Sequence, residues 1–221
     1  MQMPIYTFDA YGTLFDVHSA ITRHRIAAGP DAERMSEIWR NKQLEYSWTL
    51  TLSGQYLDFW TLTERALDYA LARTSVDRAL KPKLLNAYLE LGAFADAKPT
   101  LAELKMRGHS TAILSNGSPR MLRGAVNAAG VGENLDTLIS IDTLRMFKPR
   151  QEVYGLVTRH FSCKPAQVVF VSSNRWDVMG ASKFGFRCVW INRTKLPDEY
   201  PEQAPSRTVG SLTDLLGLDL G

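Results

Sequence analysis

The chain has 221 residues, 45% apolar and 22% charged, with 26 Lys and Arg against 23 Asp and Glu. That length suits an α/β domain with a large core and room for a smaller inserted domain. A net charge of +3 without a long block of one sign gives no argument for nucleic-acid or membrane partners, and is compatible with a small anionic substrate.

No apolar run is long enough to span a bilayer. The start, MQMPIYTF, has neither the basic residues nor the long apolar stretch of a signal peptide. Cys163 and Cys188 lack CxxC spacing and read as reduced, buried thiols. A cytoplasmic location is the expectation.

The first β-rich run is residues 4–9 (PIYTFD), which ends on an acid. Residues 17–96 then show helical periodicity and no convincing strand. Met35, Ile38 and Trp39 form one stripe. Leu57, Trp60, Glu64 and Leu67 form a second with a polar break, and Leu84, Leu85, Tyr88 and Leu89 a third. From there the pattern alternates. A helix at 101–107 precedes a strand at 110–115 (STAILS), and a helix at 120–129 precedes a strand at 137–142 (TLISID). A helix at 152–160 precedes strands at 167–172 (QVVFVS) and 187–192 (RCVWIN). Residues 194–206, rich in Pro and charge, read as a loop. Near-continuous apolar strands alternating with helices predict an α/β fold: a Rossmann-like parallel sheet of five or more strands flanked by helices. The expected division is a core domain of residues 1–16 and 97–221 and an inserted all-helical cap domain of residues 17–96.

Ligands of open parallel sheets bind beyond the carboxyl ends of the strands. Those ends carry Asp9, then Ser115-Asn116-Gly117-Ser118, then Lys148-Pro149, then Ser172-Ser173-Asn174-Arg175-Trp176-Asp177. Two carboxylates, an ammonium and several small hydrogen-bonding groups thus collect on one edge. Each has a plainer reading. Asn174 and Asp177 have the spacing of a capping box. Ser118 before Pro119 reads as an N-cap. Lys148 suits a solvated loop, Arg40 a surface pair with Glu37, and Asp16 a cap at the entrance to the helical region. Asp9 resists such a reading, because an acid that ends a buried strand is costly unless it is paired.

Six stretches taken together resemble the haloacid dehalogenase superfamily, and within it the type II L-2-haloacid dehalogenases. They are FDAYGTLFDVHS from Phe8, IWRNKQLEY from Ile38, AILSNGSP from Ala112, FKPRQEVY from Phe147, FVSSNRWDVMGA from Phe170 and WINR from Trp190. The resemblance covers essentially the whole chain. Phosphatases of the superfamily carry a second aspartate two residues after the first, which protonates the leaving alkoxide, and an acid in the fourth loop that helps to hold a metal. Here Tyr11 and Ser172-Ser173 stand at those places. A magnesium site would be short of oxygen ligands, and an alkoxide would lack its proton donor. A halide leaves unprotonated and needs neither.

The resemblance therefore implies a cofactor-free and metal-free hydrolase of 2-haloacids. Asp9 would attack carbon, Lys148 would hold it charged, and Thr13 and Tyr154 would support it. Arg40 and Asn116 would receive the halide. Ser115 and backbone amides near Ala10, Tyr11 and Asn116 would hold the substrate carboxylate. Tyr11, Leu44, Phe59 and Trp176 would line an apolar pocket. Asp177, with Ser172 and Asn174, would activate water. The resemblance also implies a homodimer. The four histidines, His18, His24, His109 and His160, read as structural or surface groups, and Arg175 sits where related enzymes often carry a small residue. Two alternatives remain: a metal-dependent small-molecule phosphatase of the same superfamily, and a non-catalytic binding protein on this fold.

Overall fold

The computed structural model describes residues 3–220. Its sheet is six-stranded and every strand pair is parallel. In chain order the strands are β1 (Ile5–Phe8), β2 (Ser110–Ser115), β3 (Thr137–Ser140), β4 (Val168–Ser172), β5 (Arg187–Ile191) and β6 (Arg207–Val209). Their spatial order is β3-β2-β1-β4-β5-β6. The chain moves outward from β1 to β3, then returns to β4 and continues the other way. The loops after β1 and β4 diverge at that switch and leave a crevice at their carboxyl ends.

β1 and β4 are buried at every position, which explains their unbroken apolar sequences. The third strand ends at Ser140, two residues before its expected limit. There the Ser140 hydroxyl accepts the Asp142 N–H at 3.2 Å and turns the chain into a short 3-10 segment, Ile141–Thr143. β6 was not anticipated. It has only three residues, two of them exposed, and lies at the sheet edge where no two-sided burial marks the sequence. The stretch 194–206, expected as a loop, holds only a 3-10 turn at Pro201–Gln203.

The chain between β1 and β2 holds helices and no named strand. They are α1 (Ser19–Thr22), α2 (Arg25–Ala28), α3 (Ala32–Leu52), α4 (Phe59–Ala72), α5 (Lys81–Leu89) and α6 (Ala97–Met106). Further helices α7 (Pro119–Ala129), α8 (Gln151–Phe161) and α9 (Arg175–Phe184) follow β2, β3 and β4. The Met35–Trp39 stripe faces inward as expected. The α4 stripe does so only in part: Leu67 is buried, whereas Leu57, Trp60 and Glu64 are half-buried. Its buried face is Phe59, Leu62, Thr63, Ala66, Leu67, Ala70 and Leu71. The helix starts one residue before Trp60, where the Asp58 carboxylate accepts the Trp60 and Thr61 N–H groups, so Leu57 lies outside it. Asp16 is not a helix cap. Its carboxylate accepts the His18 N–H two residues on, and α1 begins only at Ser19. Ser118 does cap α7, and Gly130 ends that helix in the left-handed conformation. Both cysteines are free. Cys188 is buried, but Cys163 is only half-buried.

The helical segment leaves and rejoins the sheet through adjacent chains. The Asp16 N–H donates to Gly92 O and the Phe94 N–H to Leu14 O, both at 2.9 Å. A second contact lies between α5 and α7. A Cβ on Gly124 would stand 2.6 Å from the Leu89 carbonyl oxygen. Because that neighbour is backbone, it cannot swing away. Gly124→Ala is expected to cost about 1–3 kcal/mol, read as a lower melting temperature with unchanged secondary structure by circular dichroism.

Candidate active site

Asp9 follows the last residue of β1, and its own N–H continues the ladder to Val171 O on β4 at 2.9 Å. The side chain is thereby delivered into the crevice with little freedom. Its Oδ1 accepts from Lys148 Nζ at 3.0 Å. Its Oδ2 accepts from Thr13 Oγ1 at 3.1 Å and from Asn174 Nδ2 at 2.8 Å. Thr13 is fixed in turn, since its hydroxyl oxygen accepts the Ser173 N–H at 2.9 Å.

Lys148 is completely buried, and so is Asp177. The ammonium donates to Asp177 Oδ2 at 2.8 Å while it holds Asp9. Tyr154 O–H donates to Asp177 Oδ1 at 2.8 Å, and Ser172 O–H reaches Asp177 Oδ2 at 3.3 Å. Burial alone would push the lysine pKa down. The Asp177 and Asp9 charges outweigh it, so the ammonium is held charged. Burial pushes the Asp177 carboxyl up to about 6; Lys148 opposes this and the nearby Asp9 charge adds to it. Two carboxylates share one cation, so one negative charge stays uncompensated. Burial, and then the charge of Asp177, keeps the Tyr154 phenol protonated and donating.

Arg40 reaches in from α3. Its Nη2 donates to the Tyr11 carbonyl oxygen at 3.2 Å and its Nη1 to Gln43 Oε1 at 2.8 Å. Gln43 is buried, and it also donates to Thr63 at 2.6 Å and accepts from Tyr88 at 3.1 Å. The Tyr11 ring is buried, stacked on Tyr88 at 5.9 Å and tilted against Phe59 at 6.1 Å. Ser115 Oγ accepts the Gly117 N–H at 3.0 Å, which bends the loop after β2. Asn116 Oδ1 accepts the Lys148 N–H at 3.0 Å. The Ala10 carbonyl accepts the Thr13, Leu14 and Phe15 N–H groups and turns the chain after Asp9. Trp176 meets Trp48 edge-on at 5.3 Å and lines a cavity of about 330 Å³ that also touches Lys148. Leu44 is half-buried one turn beyond Arg40 on the same helix.

The plainer readings fail for specific reasons. Asn174 is the N-cap of α9, but its side chain makes no capping bond; it turns to Asp9 and Tyr11 instead. Lys148 is not a solvated loop residue. Arg40 spends its donors on Gln43 and Tyr11 rather than on Glu37. The donor set also bears on a cation beside Asp9. Asp9 Oδ2 and the Tyr11 carbonyl both accept from the Asn174 amide, at 2.8 and 3.2 Å, so a hydrogen-bond donor meets the oxygens that such an ion would need. Among the described residues no group of three or more His, Cys, Asp or Glu could hold a metal ion.

Comparison with known proteins adds independent weight. The sequence profile of haloacid dehalogenase-like hydrolases matches residues 3–185. The (S)-2-haloacid dehalogenase 1 of Pseudomonas sp. (strain CBS-3) is 49% identical over 210 residues, covering 94% of this chain and 92% of that one. The chain belongs to the haloacid dehalogenase-like hydrolases. A dehalogenase crystal structure superposes on it with a TM-score of 0.97 at 44% identity, covering 100% of this chain and 98% of that one. The L-2-haloacid dehalogenase of Xanthobacter autotrophicus, solved with chloropropionic acid covalently bound, gives a TM-score of 0.87 at 38% identity over 97% of each chain.

In this haloacid dehalogenase-like hydrolase, sequence reasoning passed over Gln43, Ser173, Thr63 and Tyr88. Gln43 had a legible signal: a polar residue at i+3 from Arg40 on an inward-facing helix. Ser173 works through both parts of the residue: its N–H donates to Thr13 Oγ1 at 2.9 Å and its hydroxyl to the Gly12 carbonyl at 2.7 Å, partners that meet it only across the fold. Replacing Lys148 by Met would leave two buried carboxylates without their cation. A loss of about 3–5 kcal/mol in denaturant unfolding at neutral pH is expected. The loss should shrink as pH falls and the carboxyls take up protons.

Proposed function

We propose that this chain is an L-2-haloacid dehalogenase, converting short 2-haloalkanoic acids and water into inverted 2-hydroxy acids and halide. The observation that carries the reading is the hydrogen bonding of Asp9. One oxygen faces Lys148 and the other faces Thr13 and Asn174. The group is therefore oriented and supplied with donors, as a nucleophile requires. The residue two places on, Tyr11, is a ring packed between Tyr88 and Phe59 rather than a carboxylic acid. Displacement of a halide needs no acid there, whereas expulsion of an alkoxide does. The similar enzymes named above act on 2-haloacids, which agrees with this chemistry.

In the first step an Asp9 oxygen forms a bond to the halogen-bearing carbon, from the side opposite the halogen. The carbon–halogen bond breaks and its electron pair leaves with the halide. Arg40 and Asn116 receive the halide, where the fixed guanidinium charge meets charge that develops in the transition state. Ser115 and the Ala10, Tyr11 and Asn116 amides bind the substrate carboxylate. Tyr11, Leu44, Phe59 and Trp176 surround the alkyl group. In the second step water loses a proton to Asp177 and attacks the ester carbonyl of Asp9. As the ester bond breaks, the leaving alkoxide oxygen takes the proton back from Asp177; the hydroxy acid departs, and the Asp9 carboxyl releases the proton brought by the attacking hydroxide and returns as a carboxylate. Ser172 and Asn174 orient the base and the water, Tyr154 steadies Asp177, and Thr13 and Lys148 hold Asp9. Residues 17–96 act as the cap over a core of residues 1–16 and 97–221. The working form is a cytoplasmic homodimer. Among the described residues no helix is long and apolar enough to cross a membrane.

The metal-dependent phosphatase is disfavoured by the Asn174 donor between Asp9 and Tyr11. Wild-type protein should release halide from L-2-chloropropionate at an undiminished rate with chelator present. Phosphate release with magnesium and no halide release would overturn the reading. Asp177→Asn should slow ester hydrolysis about 100- to 10,000-fold, and intact-mass and peptide mapping should find the substrate adduct on Asp9. A base pushed up to about 6 is protonated below that pH. Activity should accordingly fall on the acid side with an apparent pKa near 6, and this limb should vanish from the residual activity of Asp177→Asn.

A further inference from the structure

Tyr56 takes no part in the mechanism above, yet it joins the helical segment to the loop that carries Lys148. It lies between α3 and α4, and its phenol O–H donates to the Asp142 carboxylate. Its ring stacks on Phe147 at 5.4 Å and 28°, and the Arg145 guanidinium sits over it at 5.4 Å. One turn earlier, Thr51 Oγ1 accepts the Phe147 N–H at 3.1 Å. Phe147 is fully buried and directly precedes Lys148. Its ring also tilts against Phe59 at 5.8 Å, and Phe59 packs on Tyr11.

Asp142 extends the connection to a second strand end. Its N–H donates to Ser140 Oγ at 3.2 Å, and Ser140 O–H donates to the Gly117 carbonyl at 2.7 Å. The neighbouring Asn116 holds the Lys148 N–H. The loops after β2 and β3 are thus bonded to each other and, through Tyr56 and Thr51, to residues 51–56. Burial and then the Asp142 hydrogen bond push the Tyr56 phenol pKa up, so it stays a donor. Lys148 has no slack of its own. Its ammonium must meet Asp9 and Asp177 together, so its alignment depends on where the 142–148 backbone is held.

We propose that Tyr56 and Asp142 are positioning residues: their hydrogen bond fastens the Lys148 loop to the helical segment and so aligns the ammonium on Asp9. The proposal rests on the assignment of Asp9 and Lys148 above. Catalytic alignment would then be coupled to the seating of the helical segment, because that segment supplies both Arg40 and the fastening.

Tyr56→Phe tests this, since it keeps the ring stack and removes only the hydroxyl. Amide hydrogen exchange over residues 142–150 should become faster. Halide release should show kcat lowered about tenfold with KM nearly unchanged. Asp142→Asn, which keeps an acceptor, should retain most of kcat. The Tyr56→Phe, Asp142→Ala double variant should lose no more than the worse single one. Unchanged exchange in Tyr56→Phe overturns the proposal, and so does faster exchange with unchanged kcat. Multiplicative losses in the double variant also overturn it. If the wild type released no halide from L-2-chloropropionate, the dehalogenase reading would fail while the exchange comparison still decided the coupling.

Discussion

A single ammonium, that of Lys148, is buried between the carboxylates of Asp9 and Asp177, and the site is organised around it. An unpaired charge at that depth would be prohibitive. The ammonium is tolerable because it meets both acids, and the acids are tolerable because of it. One cation cannot fully neutralise two anions, and the remaining imbalance separates their behaviour. Asp9 takes further donors from Thr13 and Asn174. Asp177, fully buried, is pushed up to about 6. One acid is thereby suited to nucleophilic attack and the other to accepting a proton near neutrality.

Meeting that electrostatic demand requires several distant pieces of chain to converge. β1 and β4 are neighbours at the point where the sheet reverses its strand order, and this brings Asp9 beside Ser172, Asn174 and Asp177. The loop after β3 brings Lys148. The helical segment brings Arg40, held by the buried Gln43, together with the aromatic shell around Tyr11. The Tyr11 carbonyl marks the meeting point, because it accepts from Arg40 on one side and from Asn174 on the other.

The strands and the order of the site loops were legible because the buried positions leave apolar runs, unbroken in β1 and β4, and each run ends on a polar group. β6 was illegible for the converse reason, being short and exposed at the sheet edge. The α4 face was misread because its inward side includes Thr63, which serves Gln43 and Trp39, while Trp60 is only partly covered. Asn174 and Asp177 matched a capping pattern in spacing, yet both side chains point to Asp9 and Lys148. Local spacing cannot register partners that lie 165 and 29 residues away. Resemblance supplied that information for Asn174, and burial of the partnered acid had already supplied it for Asp9. Tyr56 and Asp142 match no local pattern at all, since they meet only when the helical segment lies on the sheet.

The central claim is that Asp9 becomes the ester and that water attacks its carbonyl. A single turnover of L-2-chloropropionate in water enriched in oxygen-18, with enzyme in excess, tests it directly. The account predicts lactate carrying ordinary oxygen at its new hydroxyl, with the heavy isotope in the Asp9 carboxylate on peptide mapping. Heavy oxygen in the first-turnover hydroxyl, with Asp9 unlabelled, would mean direct attack by water and would contradict it.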